Sequence, residues 1–208
     1  MIKKGHPALS RVPFPHVDDD EKVSEPTRTL FAMRPARSLL IVISLLVGVS
    51  LAACSQTTGP RNWAAAVCNA LAPWRAEIGT LTDRTQEQMT AETTPAQAKE
   101  NLMRLFSGAE TASERARAGV ERAGVPDVDQ GEQVADSFMA SLSGMRDAYA
   151  RARGGIEKLD TRPQKTFYEQ VTGVVQKLNQ EYEQSELDTG KLSSVELKQA
   201  FDEAPECR

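Results

Sequence analysis

The stretch RNWAAAVCNALAPWRAEIGTL, residues 61–81, decides the fold class. Trp63, Val67, Ala70, Leu71, Trp74, Ile78 and Leu81 recur in it at intervals of three and four, the spacing that gathers side chains on one face of an α-helix. Pro73 falls inside that stripe, and its missing N–H predicts a kink or a split in the helix. The same period returns downstream. Thr94-Pro95-Ala96-Gln97 opens a second helix with a capping hydroxyl, a proline at the first helical position and a glutamine that can reach back. Leu102, Leu105, Phe106, Ala109, Ala112, Ala116 and Val120 form its stripe, and Gly124-Val125-Pro126 stops it.

A third helix is expected from about Asp129, with Glu132 in its first turn and Val134, Phe138, Leu142, Met145, Tyr149, Ala152 and Ile156 on its buried face, weakened at Gly154-Gly155. A fourth is expected from about Thr161, boxed by Gln164, with Phe167, Val171, Val174, Leu178 and Tyr182 inward. Ser193-Ser194-Val195-Glu196 starts a short last helix carrying Leu197 and Phe201 and ended by Pro205. No period-two run rich in β-branched residues follows residue 60, which argues against a sheet. The expected fold is therefore all-α: an antiparallel up-and-down bundle of about four helices plus a short C-terminal helix over residues 61–208, preceded by a signal segment.

Working back toward the N-terminus, residues 38–54 read SLLIVISLLVGVSLAAC. A helix needs about twenty apolar residues to cross the hydrocarbon core, and this run is short for that. It suits a secretory signal better. Met33-Arg34-Pro35-Ala36-Arg37 supplies the basic flank, Leu39 to Leu51 the apolar centre, and Ala52-Ala53 the small residues before a cut. Residues 33–53 then form the signal, and 54–60, polar as far as Gly59-Pro60, form a tether reaching about 20 Å when extended. The preceding residues 1–32 hold an acidic cluster at Asp18-Asp19-Asp20-Glu21 and no apolar periodicity, so they read as a disordered leader, or as a mis-assigned start if Met33 is the initiator.

Leu51-Ala52-Ala53-Cys54 resembles the lipobox of bacterial lipoproteins, which follows the apolar centre directly, as here. The resemblance implies diacylglycerol on the sulfur of Cys54 and cleavage between Ala53 and Cys54. The partner it implies is the membrane, reached through the lipid on Cys54, and the location is the extracytoplasmic face of the cell membrane.

Charge and residue types exclude several functions. The chain has 25 Lys+Arg and 29 Asp+Glu, and residues 54–208 keep 18 and 24 of them, a net charge of -6 that disfavours nucleic acid. Both histidines, His6 and His16, precede the signal, so the exported part cannot build a Ser-His-Asp or Cys-His arrangement or a zinc site of mixed ligands. Asp127-Val128-Asp129-Gln130-Gly131-Glu132 begins like a calcium loop but has Gly131 where a ligand is needed, so Asp129 reads instead as a helix cap. No carboxylate pair stands out as a glycoside-hydrolase pair. No catalytic residue, metal or cofactor is expected. Trp63 and Trp74, on one helix face, fit the core best and could otherwise line a ligand groove.

Once lipid occupies Cys54, Cys68 and Cys207 remain in an oxidising setting, where a disulfide is expected and two free buried thiols are the alternative. VCNALAPWRAEIGTL, residues 67–81, together with the C-terminal AFDEAPECR, resembles the small secreted lipoproteins of actinobacterial bacteria, in which an early cysteine beside a tryptophan-bearing helix is matched by one near the C-terminus. The resemblance supports the Cys68–Cys207 pair and carries no assigned activity. The expected function is a non-enzymatic binding or accessory role with a possible envelope protein partner. A carrier of lipid or another apolar ligand between helices is the second expectation, and an enzyme with converging carboxylates the third.

Overall fold

The computed structural model describes residues 57–185 and 192–208. The expectations for residues 1–56, including the leader, the signal, Ala53 and Cys54, lie outside the described residues. What is described is all-α: α1 (Pro60–Glu87), α2 (Pro95–Ala123), α3 (Gly131–Glu157), α4 (Gln164–Ser185) and α5 (Val195–Glu203), with a single 3-10 turn at Pro205–Cys207. α2 packs against both α1 and α3, α4 packs chiefly on α3, and α5 and the terminal turn lie on α1.

The stripes read from the sequence are the buried faces. Leu102, Leu105, Phe106, Ala109, Ala112, Ala116 and Val120 of α2 are buried, as are all seven expected positions of α3. The buried side chains divide into two groups. One gathers Ile78, Leu105, Phe106, Tyr149, Ile156, Phe167 and Leu178, drawn from α1 to α4. The other gathers Trp63, Val67, Val120, Phe138, Leu142, Leu197 and Phe201, in which α5 takes the place of α4. As described, α4 reaches Ser141 of α3, whose hydroxyl donates to the Ser185 carbonyl, and the first turns of α3 are covered by α5.

Helix starts follow local chemistry, with corrections. At α2 the capping box forms in full: Gln97 N–H donates to Thr94 Oγ1 at 3.3 Å, and Thr94 N–H donates to Gln97 Oε1 at 3.0 Å. Ser194 caps α5 by accepting from Leu197 N–H at 3.1 Å. α1, in contrast, runs through Pro73 without a split, because burial of its stripe outweighs the one backbone bond a proline removes. Asp129 does not cap α3; Gln130 does so in a left-handed conformation, φ 60°, with no side-chain bond. α4 begins at Gln164 rather than near Thr161. Gly154-Gly155 does not interrupt α3, and the bare Cα of Gly155 lets Val174 of α4 approach.

A short parallel strand pair was not anticipated. β1 (Thr57–Thr58) pairs with β2 (Val125–Pro126) in the register Thr57 to Val125 and Thr58 to Pro126. Asp127 N–H donates to the Thr58 carbonyl at 2.8 Å, and the Thr58 hydroxyl donates to the Ala123 carbonyl at 3.2 Å. Gly131 makes the pairing possible, since a Cβ there would lie 2.1 Å from the Pro126 carbonyl oxygen. Thr57 and Thr58, which lie within the stretch 54–60 expected as a tether, are bonded to β2, and Pro60 begins α1.

Candidate functional site

Cys68 and Cys207 come together as a disulfide, their Cα atoms 5.1 Å apart across 139 residues of chain. Cys68 lies buried on α1, and Cys207 ends the terminal turn packed beside it. α5, nine residues long, brings the tail there. Its Leu197, Ala200 and Phe201 are buried, and the Phe201 ring stacks on Phe138 at 5.8 Å and meets Trp63 edge-on at 6.0 Å.

The two tryptophans part company. Trp63 is fully buried, edge-on to Phe138 at 5.2 Å, and its Nε1–H donates to the Gly124 carbonyl at 2.8 Å. It is a core aromatic whose polar atom is satisfied internally, so it is placed to line no surface groove. Trp74 is half-buried at the junction of the two core groups, and its Nε1–H donates to Ser113 Oγ at 3.1 Å, whose hydroxyl donates in turn to the Ala109 carbonyl. Trp74 does border a groove of about 530 Å³ between α1 and α2, with Ala70, Pro73 and Ala116 along it and Arg115 and Arg122 at its edge. Gly119 sits so close to Ala70 that a Cβ there would come within 2.6 Å of it.

A second depression, about 460 Å³, opens at the turn between α1 and α2, lined by Gln88, Thr90, Glu92, Asn101 and Arg104 among others. Its polar groups largely hold one another: Thr93 Oγ1 donates to the Gln88 carbonyl at 2.9 Å, Asn101 Nδ2 donates to the same oxygen, and Arg104 donates to Asn101 Oδ1. The Thr90 hydroxyl donating to Glu92 holds that carboxyl below its ordinary value.

Acids and bases form a seam between α2 and α3. Arg117 donates to Glu114 at 3.0 Å and Arg146 of α3 donates to the same carboxylate at 2.7 Å, which together pull Glu114 down to about 2. Further along, Arg153 meets Glu110 at 3.0 Å. In the core beneath, the Tyr149 hydroxyl is buried without a hydrogen-bond partner among the described residues, and burial pushes its pKa up.

Among the described residues no group of three or more His, Cys, Asp or Glu side chains is placed to hold a metal, and no helix is long and apolar enough to cross a membrane. The feature that sequence reasoning missed is the β1–β2 clasp. Its signal was Gly131 closing a turn after Pro126, a place read as a helix cap. Compared with known protein families, curated proteins and solved structures, the chain matches none.

Proposed function

We propose that the chain is a lipoprotein cut between Ala53 and Cys54 and held by a diacylglycerol on Cys54 at the extracytoplasmic face of the cell membrane. Its folded body is a non-enzymatic binding or accessory module for an envelope partner. The Cys68–Cys207 disulfide carries this reading, because such bonds form and persist in oxidising compartments and are rare in the cytosol. The order of elements fits it as well: a short apolar run with a basic flank, then a cysteine, then a body whose first described element is β1 at Thr57–Thr58. Within that body the long helices form an antiparallel up-and-down bundle. Short connections at 88–94, 124–130 and 158–163 join helices that pack on their sequence neighbours.

Fatty-acid labelling in the producing cells tests the reading. The chain with Cys54 takes up label and sediments with membranes, whereas Cys54→Ala takes up none and accumulates as an uncleaved precursor. Efficient release of soluble Cys54→Ala protein by another peptidase counts against it. The second reading, a carrier of lipid or another apolar ligand, draws on the groove beside Trp74. Lipid that copurifies with the domain and is lost on Trp74→Ala favours the carrier over the accessory module.

A further inference from the structure

We infer that the end of the body formed by Thr57, the loop between α2 and α3 and the start of α5 rests on the bilayer, while α1 carries its turn with α2 away from it. The inference rests on the lipid-anchored reading of Cys54 and adds which surface meets the lipid. Its first support is chain length. From Cys54 to Thr57 the chain spans about 10 Å at most, and Thr57 is not free to swing, because β1 is paired with β2 and the Thr58 carbonyl accepts from Asp127 N–H. α1, with 28 residues, is about 42 Å long. A leash so much shorter than the helix it leads into keeps that end of the body at the surface.

The second support is independent of the leash. Val195, 76% exposed, is the large apolar side chain left open among the described residues. It lies at the same end, since the neighbouring Ser193 hydroxyl donates to Gln130 Oε1, at the cap of α3, at 3.4 Å. An apolar side chain presented there is stabilised by the interfacial layer of a bilayer rather than by water. The charges on the segments of this end, Asp127, Asp129, Glu132 and Glu196 against Arg61 and Arg122, are exposed and lean acidic, which suits zwitterionic lipid better than an anionic surface. The polar depression at the α1–α2 turn is then held out from the membrane, where a partner in the envelope would meet it first.

The experiment uses the processed, lipidated full chain in phosphatidylcholine vesicles containing a nitroxide-headgroup lipid. Asp129→Cys and Ala91→Cys, both at exposed turn positions, carry the fluorophore, the native sulfurs being blocked by lipid and by the disulfide. The probe at 129 loses most of its fluorescence and the probe at 91 keeps it. Equal loss at both positions, or greater loss at 91, in protein that floats with the vesicles overturns the orientation and leaves the anchor standing. Protein that stays in the aqueous fraction overturns the anchor and the orientation with it.

Discussion

The Phe106 half of the core and the Trp63 half are closed by different means. Around Phe106 and Tyr149, α4 supplies Phe167, Val171 and Leu178 from 22 residues of continuous helix. Around Trp63 and Phe138, nine residues of α5 supply Leu197 and Phe201, and the Cys68–Cys207 bond fastens the terminal turn beyond them to α1. Isolated helices under about a dozen residues are marginal in water, so α5 owes its order to packing and to the covalent link. One half is closed by helix length, the other by a short plug and a cross-link.

The sharpest way to break the comparison is to remove the link. Replacing Cys68→Ser together with Cys207→Ser is expected to cost about 5 kcal/mol in the chain-entropy model for a loop of this size. Denaturant titration measures the loss, and hydrogen exchange locates it: protection falls first in α5 and the start of α1, while α4 and the first half of α2 keep theirs. Protection lost uniformly would show that the two halves form one cooperative unit.

A smaller effect of opposite sign is expected in the other half. The Tyr149 hydroxyl is buried and unpartnered among the described residues, and an unsatisfied buried polar group destabilises the fold. Tyr149→Phe should therefore raise stability by about 1 kcal/mol in a thermal or denaturant melt. A loss instead would mean that the hydroxyl has a partner in solution.

The smallest effect belongs to the seam that runs past both halves. Glu114, held at about 2 by hydrogen bonds from Arg117 and Arg146, has a folded pKa below its unfolded one. Its contribution is present in full above the ordinary carboxylate value near 4.5 and is lost as pH falls from there through about 2. The carboxylate is 42% exposed, so solvent screening keeps the effect small. The stability gap between the native chain and Glu114→Gln should narrow over that window. A gap independent of pH would remove the charge from the account.

Much of this was legible because it is local. The stripes through Leu105, Phe138 and Phe167, the box at Thr94 and Gln97, and the cap at Ser194 depend on residues three or four apart, and sequence carries that spacing directly. The starts of α3 and α4 were misplaced by a few residues, because a carboxylate or hydroxyl before a helix is necessary for such a cap but not sufficient. At α3 the chain enters the helix through Gln130 at φ 60°, one residue past Asp129, and no side chain caps it.

By itself, then, the sequence determined the helical period, the apolar faces, the positions of the three cysteines and the short apolar run ending at Cys54. Only the tertiary structure decided that Trp63 is core while Trp74 borders a groove, since both share one stripe and differ in what packs over them: α5 and α3 for one, the edge of α2 for the other. It also decided that Thr57 and Thr58 belong to the domain. Their pairing with Val125 and Pro126 joins segments more than sixty residues apart, and a contact at that separation leaves no period in the sequence to read.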